Sequence, residues 1–361
     1  MNDKQINFSF SKQSKETISG IVKNYTIIPL ETKDDIYLTN ARKILMKDDK
    51  IYILENIMGR RHQIYIFNKE GKFVSKINSQ GRGDKEYQSI SDFDIHPNKE
   101  VISILDPGLR KLMNYNLNSE YQSELKLDCW AKEFKYLDIG KHSYTIFSTK
   151  SSKSDTGKGN DLYVYNENNK LLYSALAFDK EISIAIGNGI NLTRNNDGVN
   201  YFKPNTNLIY SCGTDSISIK YSLDFPFGVL PGDEIENVFL RGKNILHKYV
   251  YNIIFFEASN MIHTHFSHNK EVYFGFYDKQ SKKSLVFNSQ KDPSCGCGIT
   301  LNIKGTFNNS FILETDISKI NAVMKMLDPE KTKCLNPKAF EDIKELDMTS
   351  NPILILVEFK I

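Results

Sequence analysis

The sequence predicts an all-β fold: a six-bladed β-propeller of four-stranded blades, with a short helical insertion in the last blade. Three observations carry that expectation. The chain has 361 residues with 22 Phe and 19 Tyr but one Trp, and aromatic side chains suit a pleated, half-buried surface. A strand–turn–strand unit recurs with a period of roughly 48 to 56 residues, the length of one four-stranded blade. Apolar strands stand near both ends, so the first can complete the blade that the last leaves open, and a closed ring removes exposed sheet edges.

The elements follow in order. Residues 1–20 read as a polar leader or tether, and residues 21–361 as a single propeller domain. Tyr25-Thr26-Ile27-Ile28-Pro29-Leu30 is the closing strand. Ile64-Tyr65-Ile66-Phe67 alternates into Asn68 and Gly71, and a second strand begins at Phe73. Tyr115-Asn116 and Tyr165-Asn166 repeat the pattern, and weaker copies end at Tyr221-Ser222 and Tyr277-Asp278. In each copy a small polar residue opens the turn, because its side chain can bond the backbone two residues on. A preceding strand also repeats: Lys50–Leu54 before Glu55 matches Glu100–Leu105 before Asp106. Near the C-terminus, about residues 316–348, the period changes. Asp316 can cap a helix with Ile317, Ile320, Met324 and Leu327 on one face. Asn336 can cap a second, with Pro337 in its first turn and Phe340 and Ile343 on its buried side. The strand Pro352–Phe359 closes the chain.

Composition excludes several classes. Lys plus Arg is 47 and Asp plus Glu 44, a formal charge of +3, which is not the concentrated basic face of a nucleic-acid binder. The longest apolar run, Ile353–Val357, is far short of the roughly 20 residues that span a bilayer. The first twenty residues hold no apolar stretch of the kind an export signal carries. The leader therefore reads either as the start of a cytoplasmic protein or, the favoured expectation, as the tether of a mature exported lipoprotein with Met1 as a replacement start. Cys129, Cys212, Cys295, Cys297 and Cys334 are odd in number and scattered, so they form no disulfide framework.

Gly81-Arg82-Gly83-Asp84-Lys85-Glu86-Tyr87, running into Ile90–Ile95, resembles an inter-blade signature of NHL-like bacterial six-bladed propellers. Ile28-Pro29-Leu30-Glu31-Thr32 and Asn351-Pro352-Ile353-Leu354 are similar to the two ends of that family. The likeness covers nearly the whole chain and departs at Asp84-Lys85, where the family pattern has Pro-Gly. It implies a six-bladed propeller and, as is common in the family, a lipoprotein of the cell envelope. It brings no shared catalytic residues.

Few residues suggest chemistry. The Gly81-x-Gly83 loop runs into a strand and not a helix, so it reads as a turn between blades and not as a phosphate cradle. His263 and His265 share one face of a strand, and Cys295 and Cys297 have the same spacing in a Gly-rich segment ahead of the next blade. Together they are the candidate metal ligands, with zinc-like chemistry; the competing reading is a half-exposed strand beside a Gly-rich turn. Asp92 and Asp94 alternate with Phe93 and Ile95 as turn-side and channel-side polar positions. Trp130 is either a sugar-stacking platform or packed between blades. No G-x-S-x-G elbow or ordered Ser/His/acid set is present. The expectation is an exported propeller of the cell envelope that binds a small molecule, glycan or protein at its funnel. No catalytic residue is assigned, and a divalent metal is the one candidate cofactor. No nucleic acid is expected, and the membrane is met only through a lipid anchor. The alternatives are a metal-dependent, lactonase-like hydrolase or lyase working in the central channel, and a structural part of an envelope complex.

Overall fold

A computed structural model describes residues 4–9, 16–57, 61–149, 159–177, 189–195, 197–294 and 301–361. The fold is a six-bladed β-propeller of four-stranded blades. Blade 1 is built from Ala41–Lys47, Lys50–Asn56, His62–Asn68 and Phe73–Ile77. Blade 2 comprises Asp92–Ile95, Val101–Asp106, Lys111–Asn116 and Tyr121–Lys126. Blade 3 comprises Glu133–Ile139, His142–Ser148, Asn160–Asn166 and Leu171–Ala177. Blade 4 holds Leu192–Asn195, Gly198–Phe202, Leu208–Cys212 and Ile217–Asp224, and blade 5 holds Val250–Glu257, Met261–His268, Glu271–Asp278 and Ser284–Asn288. Blade 6 takes Ile303–Phe307, Ser310–Thr315 and Ile353–Phe359 from the C-terminal end and Val22–Pro29 from the N-terminal end. The closing strand pairs antiparallel, with Ile27 opposite Ile355.

The chain divides into two compact units. One (1–9, 79–255, 264–270) holds blades 2, 3 and 4. Its core includes Phe134, Phe147, Tyr163 and Tyr165 on blade 3 with Leu105 and Leu112 of blade 2. A second cluster joins Ile146 and Val164 to Val199 and Tyr201 of blade 4. The other unit (10–78, 256–263, 271–361) holds blades 1 and 6, where Ile44, Ile53 and Phe67 pack with Ile28, Ile312 and Leu354. There Gly305 of blade 6 lies so close to blade 1 that an added Cβ would stand 2.5 Å from the Ile44 carbonyl oxygen.

The repeated turns are locally encoded. Asn68 Oδ1 accepts from the amides of Glu70 and Lys72, Asn116 Oδ1 from Asn118 and Glu120, and Asn166 Oδ1 from Asn168 and Lys170. The residue three further on takes the left-handed conformation: Gly71, Ser119 or Asn169. At Gly71 a side chain is also excluded, since a Cβ would meet the Pro29 oxygen at 2.2 Å. Asp278 opens its turn in the same manner, accepting from Gln280 and Ser281. The copy at Tyr221-Ser222 is corrected. Both residues lie inside the strand Ile217–Asp224, and the hairpin is at Gly213–Ser216. Ser222 is spent on strand pairing instead, donating its amide to Lys4 O.

Glu55 and Asp106, which end the matched second strands, do the same work in two blades. Glu55 Oε1 accepts from the Thr39 amide at 2.8 Å, and Asp106 Oδ2 accepts from the Gln88 amide at 2.7 Å and the Ser89 amide at 3.2 Å. Each buried carboxylate thereby fixes the loop that enters its blade's first strand.

Within residues 1–20, read as a polar leader, the described residues include apolar side chains packed on the fold. Gln5–Asn7 adds to blade 4 as a fifth strand, parallel to Ile217–Asp224. Ile6 and Phe8 are buried, and the Phe8 ring stacks on Phe225 at 5.9 Å. Ile18 and Ile21 are buried in a short helix, and the Ile18 amide donates to Asp292. These apolar residues, spaced among polar ones, anchor residues 4–9 and the short helix to the fold.

The connection 316–352 in blade 6 carries the helices Ile320–Leu327 and Ala339–Lys344. The first buries Ile320, Val323, Met326 and Leu327, while Met324 is half-buried. Asp316 accepts from the Lys319 amide in the turn ahead of that helix. Asn336 turns away from the second helix to exchange hydrogen bonds with the Ile27 backbone. Ala339 is the buried residue of that helix, with Phe340 and Ile343 half-buried.

Candidate ligand-binding cleft

The helical insertion and the strand ends beside it enclose a cleft of about 490 Å³, wholly within the second unit. Four separate stretches supply its walls: Thr39 and Asn40 ahead of blade 1, Leu301 and Asn302 ahead of blade 6, residues 313–326, and Pro352. The floor is aliphatic. Leu301, Leu313, Val323 and Met326 are all buried residues that reach it.

The rim is polar and largely tied within itself. Glu314 Oε1 accepts from the Ala41 amide at 3.0 Å. Its Oε2 accepts from Asn302 Nδ2 at 3.0 Å and lies 3.2 Å from Lys304 Nζ. Lys319 Nζ donates to Asp316 Oδ2 at 2.7 Å, and the Ser318 hydroxyl bonds Oδ1 of the same carboxylate. Burial alone would raise the Asp316 carboxyl, but Lys319 and Ser318 outweigh it and hold it below the usual carboxylate range. The Thr39 hydroxyl is directed to Glu55. Asn40, exposed on the rim, makes no hydrogen bond among the described residues.

In the first unit a buried charge network joins the first strands of blades 2, 3 and 4. Asp92 and Asp94 are buried, correcting their reading as turn-side and channel-side positions. Asp92 Oδ2 accepts from the Phe134 amide and Asp94 Oδ2 from the Tyr136 amide, both at 3.0 Å. Lys135 Nζ lies 3.6 Å from Asp92 and 3.9 Å from Asp94, and Arg194 grips Asp94 through both terminal nitrogens. Two acids thus face two cations, and the acids act as fasteners between blades. Lys135 and Arg194 were not singled out from the sequence; the alternation Glu133-Phe134-Lys135, matching Asp92-Phe93-Asp94, was the available signal.

The sequence-derived candidates fall in different places. His263 and His265 both lie on the strand Met261–His268. His263 is fully buried, its ring 4.7 Å from that of Phe276 and 5.9 Å from those of Phe274 and Phe311. His265 is half-buried, and burial pushes its imidazole below the usual histidine range. Cys295 and Cys297 lie outside the described residues. Among the described residues no group of three or more His, Cys, Asp and Glu is arranged to hold a metal. Trp130 is half-buried, with the Lys132 ammonium 5.4 Å from the ring centre.

Gly81–Tyr87 forms a closed loop between blades. The Gly81 amide donates to Tyr87 O, the Tyr87 amide to Ser79 O, and the Gly83 amide to Glu86 Oε2. Lys85 sits at φ 65°, the left-handed conformation that a glycine would take in the Pro-Gly pattern.

A candidate exported protein of Bacteroides fragilis has a similar structure, with 20% identity, a TM-score of 0.79, and 99% of each chain covered. A member of the DUF4221 family from Bacteroides vulgatus matches with 10% identity and a TM-score of 0.56, over 94% of this chain and 97% of that one. At these identities the likeness is one of fold. No curated protein sequence matches this chain. The model of one family, described as a domain of unknown function (DUF4934), matches residues 3–358. With nearly the whole chain inside that match, the protein belongs to the DUF4934 family.

Proposed function

We propose that this protein is a binding propeller of the bacterial cell envelope, exported and lipid-anchored, of the NHL-like type, and that its ligand occupies the cleft beside the helical insertion. The observation that carries the reading is the state of the cleft's side chains. Its acids are engaged with Lys304, Asn302, Lys319 and backbone amides, and the Thr39 hydroxyl with Glu55. What remains open is an aliphatic floor and an unspent amide at Asn40, which suits recognition better than proton transfer or nucleophilic attack. The NHL-like likeness at residues 81–95, together with the description of the Bacteroides fragilis neighbour as a candidate exported protein, supports the envelope location.

Thermal-shift screening of peptides, saccharides and small acids, run on the wild type and on Ala322→Trp, tests the cleft. Ala322 lines it and is only half-buried, so the indole fills the space without entering the core. Binders are expected to raise the melting temperature of the wild type alone. Compounds that stabilise both proteins equally would place recognition elsewhere. Fractionation of cells carrying the native gene tests location, and recovery in the soluble cytoplasmic fraction would refute export.

A further inference from the structure

The cleft's chemistry also narrows its ligand, an inference that rests on the reading of the cleft as the binding site. Three features act together. First, among the described residues no aromatic ring lines it, so they offer no flat platform of the kind on which sugar rings stack. Second, its charges are closed on one another: Glu314 with Lys304 at 3.2 Å and Asp316 with Lys319 at 2.7 Å. A phosphate or carboxylate ligand would have to break a pair to be held. Third, Asn40 offers both an amide donor and a carbonyl acceptor. Asn302 spends its Nδ2 on Glu314 and presents its Oδ1 as a further acceptor. A peptide group demands that combination of donor and acceptor. The floor of Leu301, Leu313, Val323 and Met326 accepts a branched aliphatic side chain, with the flexible thioether of Met326 adjusting to its shape. The volume of about 490 Å³ falls in the range of ordinary ligand sites, roughly 300–1,000 Å³.

We infer that the cleft takes an uncharged peptide segment, seating one aliphatic side chain on the Leu313–Met326 floor and its backbone amides against Asn40 and Asn302.

The full chain, labelled with ¹³C at its methionine methyl groups, is titrated with acetyl-Ala-Leu-Ala-amide, acetyl-Ala-Gly-Ala-amide and maltotriose. Met326 is the reporter, assigned by Met326→Leu. The leucyl peptide is expected to shift the Met326 signal saturably, and the glycyl peptide to bind at least tenfold more weakly. Asn40→Ala, an exposed change that leaves the core intact, is expected to weaken binding roughly three- to tenfold, and Ala322→Trp to abolish it. A Met326 shift with maltotriose and not with the peptide would overturn the peptide assignment while keeping the cleft as a binding site. Saturable peptide shifts confined to other methionines would overturn the cleft itself. A Met326 signal unmoved by every probe would refute the peptide inference, leaving the cleft to stand or fall on the wider thermal-shift screen.

Discussion

Phe8→Ala measures how firmly the N-terminal segment is held on blade 4. Ordering residues 4–9 costs on the order of 6–12 kcal/mol in backbone entropy. Burial of Ile6 and Phe8 offsets about 3–6 kcal/mol of this. The parallel pairing of Gln5–Asn7 with blade 4 adds its ladder bonds, and three more hydrogen bonds flank it, roughly 0.5–1.5 kcal/mol each: Ser222 N–H to Lys4 O at 2.8 Å, Phe8 N–H to Asp224 O at 2.8 Å, and Asn7 Nδ2 to the Asp224 carboxylate at 3.2 Å. The two sides agree to within a few kcal/mol, so the segment sits near the edge of release. Removing a buried phenyl ring costs about 3–5 kcal/mol, which is enough to detach it while the blades stay folded. The Ser222 amide then loses its acceptor, whereas the neighbouring Leu223 amide keeps its bond to Asn207 O at 2.9 Å. Residue-resolved hydrogen exchange should show Ser222 accelerating by on the order of a hundredfold, with Leu223 unchanged. Wild-type protection at Ser222, or equal loss at both amides, would falsify the view of a locally held strap.

The remaining predictions concern a fastener, a titration and a metal. Asp106→Ala removes a buried carboxylate and frees the part-buried amides of Gln88, Ser89 and Leu109, and is expected to cost about 3–5 kcal/mol in urea unfolding. Asp84→Asn, on the exposed loop, should stay within about 0.5 kcal/mol, and similar values for the two would contradict the role given to Asp106. Burial lowers the His265 pKa, so below the ordinary histidine value of about 6.5 the unfolded chain binds more protons than the folded one. Its contribution is complete above that pH and is lost as pH falls towards the folded value. Melting temperatures from pH 7.5 to 5 should therefore drop more gently for His265→Gln than for wild type, and parallel curves would exclude His265 as a source of the acid sensitivity. If His263, His265, Cys295 and Cys297 hold zinc, elemental analysis of protein purified without chelator finds near-stoichiometric metal that the Cys295→Ser/Cys297→Ser variant lacks; metal-free wild type removes the proposal.

Local chemistry was the legible part of this fold. Asn68, Asn116 and Asn166 announce their turns because the side chain that makes each turn bonds residues two and four positions away. Blade 4 escaped the pattern because its hairpin rests on Gly213 with no aromatic–Asn pair before it. The strap was hidden because Ile6 and Phe8 are diluted by polar neighbours, and their partners on blade 4 are some two hundred residues away. The same distance effect governs the charge network. Asp92 and Asp94 stand out in the sequence, but their role depends on amides 42 residues on and on an arginine 100 residues on. The cleft was illegible for a related reason: four stretches meet there, and none carries a recognisable motif alone. The helix on its wall shows how small the margin is. A face drawn through Met324 misses the floor, which is made by Val323 and Met326.

The pairing of Val22–Pro29 with Ile353–Phe359 gives the fold an order in time. The first of these strands is made long before its partner, since the contact of Asn24 with Glu358 spans 334 residues. Until Ile353–Phe359 emerges, an apolar strand containing Ile27 and Ile28 lacks its antiparallel partner, and an unpaired strand of that kind recruits other chains. A chain stopped before Ile353 would therefore not be a slightly smaller propeller. It would be a sticky intermediate, held open at one blade, and a natural substrate for whatever chaperone guards it during synthesis.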